Sequence, residues 1–133
     1  MKTKTIRQSV NLPAEPAAVY EALLDSKQHT AFTQDKAVMS RRVGGTFTAG
    51  TGYISGKNLE LVPGKKIVQT WHASDWPDGH LSEVSFSFAP VKGGTKLTFM
   101  HRNVPDEFYA DIKQGWIDYY WKPLRDYLAS RRK

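Results

Sequence analysis

Three groups of residues in this sequence carry side chains able to do chemistry. The first is His101, which alternates with Lys96, Thr98 and Met100 in the same phase as Leu97 and Phe99. An imidazole at the end of an apolar strand face can hydrogen-bond a ligand or serve as a general base near neutral pH. A satisfied interior or rim histidine is the competing reading, and no carboxylate stands at a spacing that would orient the ring, so no triad is predicted. The second group is the loop Asp75-Trp76-Pro77-Asp78-Gly79-His80, with His72 and Glu83 close by in sequence. Its oxygen and nitrogen ligands lack a helical histidine pair or a recognised metal-ligand spacing, while Pro-Asp-Gly is a turn sequence. No metal site is predicted there, and Trp76 is expected to anchor the loop. The third group is aromatic: Phe86, Phe88 and Phe99 on two strands, and Trp116, Tyr119, Tyr120 and Tyr127 near the C-terminus. Such residues can wall a cavity for a small hydrophobic or aromatic ligand, or can simply fill a core.

Other chemistries are excluded by residue type or spacing. With no cysteine, the chain has no structural disulfide, cysteine-ligated zinc or iron–sulfur site and no thiol nucleophile. Neither Gly44-Gly45 nor Gly93-Gly94 is followed by Lys-Ser/Thr or placed between a strand and a long helix, so hairpin turns and bulges explain them better than a phosphate loop. Glu60 and Glu83 fall on expected solvent phases, which leaves no carboxylate pair for glycoside hydrolysis. No cofactor is predicted.

The 133 residues carry 19 basic and 13 acidic side chains, a formal charge of +6. That balance raises nucleic acid and anionic surfaces as partners. However, Lys2, Lys4, Arg131, Arg132 and Lys133 lie at the two ends, leaving 14 basic against 13 acidic residues elsewhere. The body of the domain is nearly neutral, so the charge reads as frayed, solubilising termini rather than a nucleic-acid surface. No apolar run approaches the roughly 20 residues of a membrane span, and the first dozen residues lack a signal-peptide pattern; the expected location is cytoplasmic.

The elements that must position these residues follow from periodicity. Ile6, Gln8, Val10 and Leu12 alternate up to Pro13, predicting a first strand. Ala17, Tyr20, Leu23 and Leu24 recur at helical spacing after Pro16, and Ser26 is expected to cap a second short helix carrying His29 and Phe32. From Lys36 to His101, glycine-rich and proline-rich turns punctuate runs of β-branched and aromatic residues, predicting an antiparallel meander. Its clearest hairpin places Val84, Phe86, Phe88, Leu97, Phe99 and His101 on one buried face. The strand around Ile67, Val68 and Trp71 is apolar in both phases, leaving its inward face unassigned. Residues 107–131 carry the longest helical pattern, which Pro123 should bend or loosen by one turn. Trp121 and Ile117 fall off its main stripe and are expected to leave apolar surface exposed, compatible with a monomer or a homodimer.

Strand, two short helices, meander and long final helix is the order of the helix-grip fold. The runs Gly44-Gly45-Thr46-Phe47, Gly52-Tyr53-Ile54-Ser55-Gly56, Leu59-Glu60-Leu61-Val62-Pro63-Gly64-Lys65-Lys66-Ile67-Val68-Gln69-Thr70-Trp71 and Asp75-Trp76-Pro77-Asp78-Gly79-His80 go further. Together with Val104-Pro105, Gly115-Trp116 and Tyr119-Tyr120, they resemble the C-terminal domain of the activator of heat-shock-protein-90 ATPase. The resemblance runs from about Val19 to Leu128. It implies an α+β helix-grip domain over residues 1–133, a curved antiparallel sheet wrapped around the C-terminal helix, without room for the separate N-terminal domain of the eukaryotic activator. Because this fold hosts binders, transporters and enzymes, function must be read from the site. The reading favoured by the residues is a non-enzymatic binding module whose cavity between sheet and helix takes a small hydrophobic or aromatic ligand, with Phe86, Phe88, Phe99, His101, Trp116, Tyr119 and Tyr120 as its walls. Two alternatives stay open: a chaperone cofactor stimulating a heat-shock-protein-90-type ATPase, and a cyclase- or hydrolase-like enzyme using His101 or a cavity tyrosine.

Overall fold

A computed structural model describes residues 2–131. Two of the C-terminal cations invoked above, Arg132 and Lys133, lie outside the described residues. Strand β1 (Thr3–Leu12) is followed by helices α1 (Pro16–Leu24) and α2 (Ser26–Thr33), then by strands β2 (Thr46–Ala49), β3 (Ile54–Val62), β4 (Lys66–Ala73), β5 (Ser82–Val91) and β6 (Gly94–Pro105). The six strands form one antiparallel sheet in the order β1-β6-β5-β4-β3-β2. A 3-10 turn, Asp106–Phe108, leads into α3 (Tyr109–Trp116), a π-helical turn (Ile117–Trp121) and α4 (Lys122–Arg131). This is the helix-grip arrangement.

Local chemistry explains the helix boundaries. Pro16 sits in the first turn of α1, where its missing N–H costs no hydrogen bond. The cap of α2 is Asp25 rather than Ser26: an Asp25 carboxylate oxygen accepts the Gln28 N–H at 3.0 Å. Ser26 instead uses its hydroxyl to hold the strand approach, accepting the Met39 N–H at 2.8 Å.

The sheet presents one apolar face. Ile6, Val10 and Leu12 of β1, Val84, Phe86 and Phe88 of β5, and Leu97, Phe99 and His101 of β6 are all buried, as period two requires. In β4 the inward phase is Ile67, Gln69, Trp71 and Ala73. The sequence left this face open because Val68 puts an apolar residue in the opposite phase as well. Buried Gln69 donates to Asn58 Oδ1 at 3.0 Å, and Asn58 donates to the carbonyls of Ser40 and Arg42, so the pair fastens the 40–45 loop to the sheet.

Pro123 does loosen the C-terminal helix. Lacking an N–H, it cannot bond the Tyr119 carbonyl, and its ring crowds that group. The turn just before it has widened: the Lys122 N–H reaches five residues back to Ile117. Residues five apart then share a face, and Trp116 and Trp121 stack at 5.6 Å with their planes 20° apart. Trp121, expected off the core stripe from α-helical spacing, is therefore buried, and its indole N–H donates to Gln8 of β1 at 2.7 Å. Ile117 is half-buried. The same widening turns Tyr119, expected to face the sheet, outward to 67% exposure.

The ends are tied rather than frayed where they are described. Lys4 ion-pairs with Asp106 at 3.1 Å and lies over the Tyr109 ring, and Arg131 donates to the Tyr127 hydroxyl at 2.7 Å. No helix among the described residues is long and apolar enough to cross a membrane.

Candidate functional site

Where β5 and β6 meet the end of β4, three polar groups are enclosed by aromatic rings. His101 is completely buried. Its Nε2 lies 2.8 Å from Ser82 Oγ, and its Nδ1 accepts the Trp116 indole N–H at 3.1 Å. Ser82 spends its own proton on the Trp71 carbonyl, at 2.6 Å, so its oxygen must accept from His101. That order fixes a neutral imidazole with the proton on Nε2. Burial pulls its pKa down to about 3. His101 therefore has no free lone pair for a substrate proton and no path to solvent. Both ring nitrogens are engaged by protein groups, the arrangement of the satisfied interior histidine that the sequence also allowed.

A second buried imidazole, His29, was placed on a short helix by the sequence but given no role. It donates from Nδ1 to the Leu23 carbonyl at 2.9 Å, and its Nε2 accepts the Tyr120 hydroxyl proton at 2.8 Å. Burial lowers the pKa of this ring as well. It raises that of the Tyr120 phenol, reinforced by the negative charge of Asp35, so Tyr120 stays an O–H donor.

Beside this network a cleft of about 350 Å³ opens between the C-terminal helix and the β2–β4 end of the sheet. Its apolar surface comes from Trp71 and Ile54 on the strands and from Ile112, Gly115, Trp116 and Tyr120 on the helix. Tyr53, Tyr119, Thr33, Asp35, Gly50 and Asp111 complete the lining. Tyr53 donates its hydroxyl proton to Asp75 at 2.8 Å, and burial together with that bond pushes its pKa up to about 12. The volume falls in the range of small-molecule sites, which combine apolar walls with a few polar groups.

The seven expected wall residues divide. Trp116, Tyr119 and Tyr120 line the cleft, Tyr119 from its outer rim. Phe86 borders only a void of about 10 Å³ beneath it, too small for a ligand. Phe88 packs edge-on against Tyr20, and Phe99 lies 4.4 Å from Trp116, so both fill the core, as does His101. The missed wall residues had a readable signal on the helix. Asp111, Gly115 and Tyr119 recur every four residues, as do Ile112, Trp116 and Tyr120, giving one stripe two residues wide. Trp71 was hidden by the double apolar phase of β4. Tyr53 and Asp35 sit in turns where periodicity carries no information.

The loop 75–80 is organised by ring packing and backbone contacts. Trp76 is buried 5.2 Å from Trp71, anchoring the loop as expected. His72 and His80 bond the carbonyls of His80 and Asn103, each at 2.8 Å. Among the described residues no group of three or more His, Asp or Glu side chains is placed to hold a metal ion.

Comparison with known proteins gives consistent relatives. Residues 13–129 match the family model described as Activator of Hsp90 ATPase homolog 1-like protein. The human Activator of 90 kDa heat shock protein ATPase homolog 1 is 31% identical over 110 residues, covering 83% of this chain and 32% of the human protein. An uncharacterised protein of Schizosaccharomyces pombe is 33% identical over 126 residues, covering 94% of this chain and 37% of its own. The chain thus spans about a third of the length of the curated relatives it matches. Among solved structures, an HSP90 activator from Plasmodium falciparum superposes with a TM-score of 0.87 at 25% identity, covering 94% of this chain and 96% of that one. The Aha1 dimer from Colwellia psychrerythraea, at 23% identity and a TM-score of 0.81 over 94% of this chain and 96% of that one, shares the fold.

Proposed function

Since the chain belongs to the family of Activator of Hsp90 ATPase homolog 1-like proteins, we propose that it is a non-enzymatic binding module whose cleft takes the apolar or aromatic part of a small ligand. One observation carries this reading. The walls of the cleft are aromatic and apolar, while the two interior imidazoles beside it are committed to internal hydrogen bonds. Binding surface is present while neither interior imidazole is free to move a substrate proton, which weighs against the cyclase or hydrolase reading based on His101.

Gly115 offers a clean test. A Cβ built there meets only the Tyr119 ring edge at 3.7 Å, an ordinary contact, and the position lines the cleft. Gly115→Leu is expected to keep the fold, since leaving glycine in a helix interior gains up to about 1 kcal/mol in helix propensity. It should also fill the cleft. Native mass spectrometry against a library of apolar and aromatic molecules should find binders for the wild type that are lost in Gly115→Leu. A wild type that retains none of them, or a variant that retains them all, overturns the reading.

A second reading rests on the relatives, the human one named an Activator of 90 kDa heat shock protein ATPase homolog and the Plasmodium one an HSP90 activator: the chain stimulates a heat-shock-protein-90-type ATPase. Added to a chaperone of that type, it should then raise the rate of ATP turnover and co-elute with the chaperone. An unchanged rate with no co-elution removes this function.

A further inference from the structure

We propose that the cleft selects a cationic amphiphile: an ammonium or related cation carried on an apolar or aromatic body. This rests on the reading of the cleft as a ligand site and adds the charge of the ligand. The protein as a whole is basic, with 19 cationic side chains against 13 anionic ones, yet among the described residues no lysine or arginine lines the cleft. The two ionised side chains that do line it are Asp35 and Asp111. Neither carboxylate has an ion-pair or hydrogen-bond partner among the described residues, whereas Glu21, Glu60, Glu83, Asp106 and Asp118 each hold a lysine or arginine.

Both carboxylates act on the cleft itself. Burial is the main cause of the raised pKa of Tyr120 and of Tyr53; the charge of Asp35 adds to it at Tyr120, and at Tyr53 the charge of Asp111 adds to it after the hydrogen bond and charge of Asp75. Their negative potential thus reaches wall residues on both sides. The rings of Trp71, Trp116 and Tyr120 line the same cleft, and electron-rich faces of this kind attract cations. An apolar body in the cleft with its cation toward the carboxylates would meet both attractions. An anion of the same skeleton would meet two unneutralised carboxylates in spite of the net positive charge of the molecule.

The test uses three probes with one carbon skeleton: phenylbutylamine, phenylbutanol and phenylbutanoate, titrated into the 133-residue protein at neutral pH and followed by calorimetry. The amine should bind roughly tenfold more tightly than the alcohol, combining an exposed ion pair with a cation–π contact. The carboxylate should bind most weakly. The exposed pair Asp35→Asn and Asp111→Asn, combined, should bring the amine to the affinity of the alcohol while leaving the alcohol unchanged. Gly115→Leu should abolish all three, locating them in the cleft. If alcohol, amine and carboxylate bind alike, or if the preference survives the double substitution, the charge inference is overturned while the cleft stands as a ligand site. If none of the three binds, both the cleft reading and the inference built on it fall.

Discussion

Between neutral pH and pH 4 the protein is expected to lose roughly 3 kcal/mol of stability through His101 alone. In the unfolded chain this histidine takes a proton near its ordinary pKa of 6.5, whereas in the folded protein burial holds the pKa near 3. Above pH 6.5 both states are neutral and His101 contributes no pH dependence. Below it the unfolded state binds a proton that the folded state refuses, so stability falls as pH drops and levels off only as the folded pKa near 3 is reached. His29, also lowered by burial, adds to the loss in the same direction. Urea unfolding at a series of pH values measures the effect. Wild-type stability should decline through this window, and His101→Gln, which cannot take up the proton, should decline less steeply whatever its absolute stability. A flat wild-type profile between pH 7 and pH 4, or a variant with the wild-type slope, would show that His101 titrates normally and is not locked between Ser82 and Trp116.

Trp116→Ala is expected to be the most damaging single substitution near the cleft. The ring lies 4.4 Å from Phe99, 4.6 Å from Tyr120 and 5.6 Å from Trp121, and removing a buried tryptophan costs about 3–5 kcal/mol. It also strips His101 Nδ1 of its donor. Trp116→Phe separates the two contributions, because it keeps much of the packing while leaving the imidazole nitrogen unpaired at a cost of about 1–3 kcal/mol. Denaturant melts at pH 7 should therefore order the proteins wild type, Phe variant, Ala variant. A Phe variant as stable as wild type would mean that the indole–imidazole bond contributes nothing.

These residues show what could be read from the sequence. The face of the β5–β6 hairpin was legible because alternation in Val84, Phe86, Phe88, Leu97, Phe99 and His101 depends only on the period of a strand. The helix-grip order was legible for the same reason, reinforced by the motifs from Gly44 to His80. The fate of His101 was not, since its partners Ser82 and Trp116 lie on a neighbouring strand and a distant helix. Tyr119 and Trp121 exchanged roles because a π-turn forced by Pro123 shifts the helical phase, and regular 3.6-residue spacing has no place for the extra residue. The acidic character of the cleft was hidden in the opposite way. Total charge pointed toward anionic partners, while the two carboxylates that matter are scattered among 13 acidic residues and are brought together only by folding.

Whether the cleft beside Trp116 is a binding site or a surface dent can be decided by following the four tryptophan indole N–H signals by NMR while a neutral probe such as phenylbutanol is added. The signals of Trp71 and Trp116, which line the cleft, should shift and saturate, those of Trp76 and Trp121 should move far less, and Gly115→Leu should remove the response. Indole signals that do not move, or that drift together without saturating, would show that the cleft is a surface dent and not a binding site.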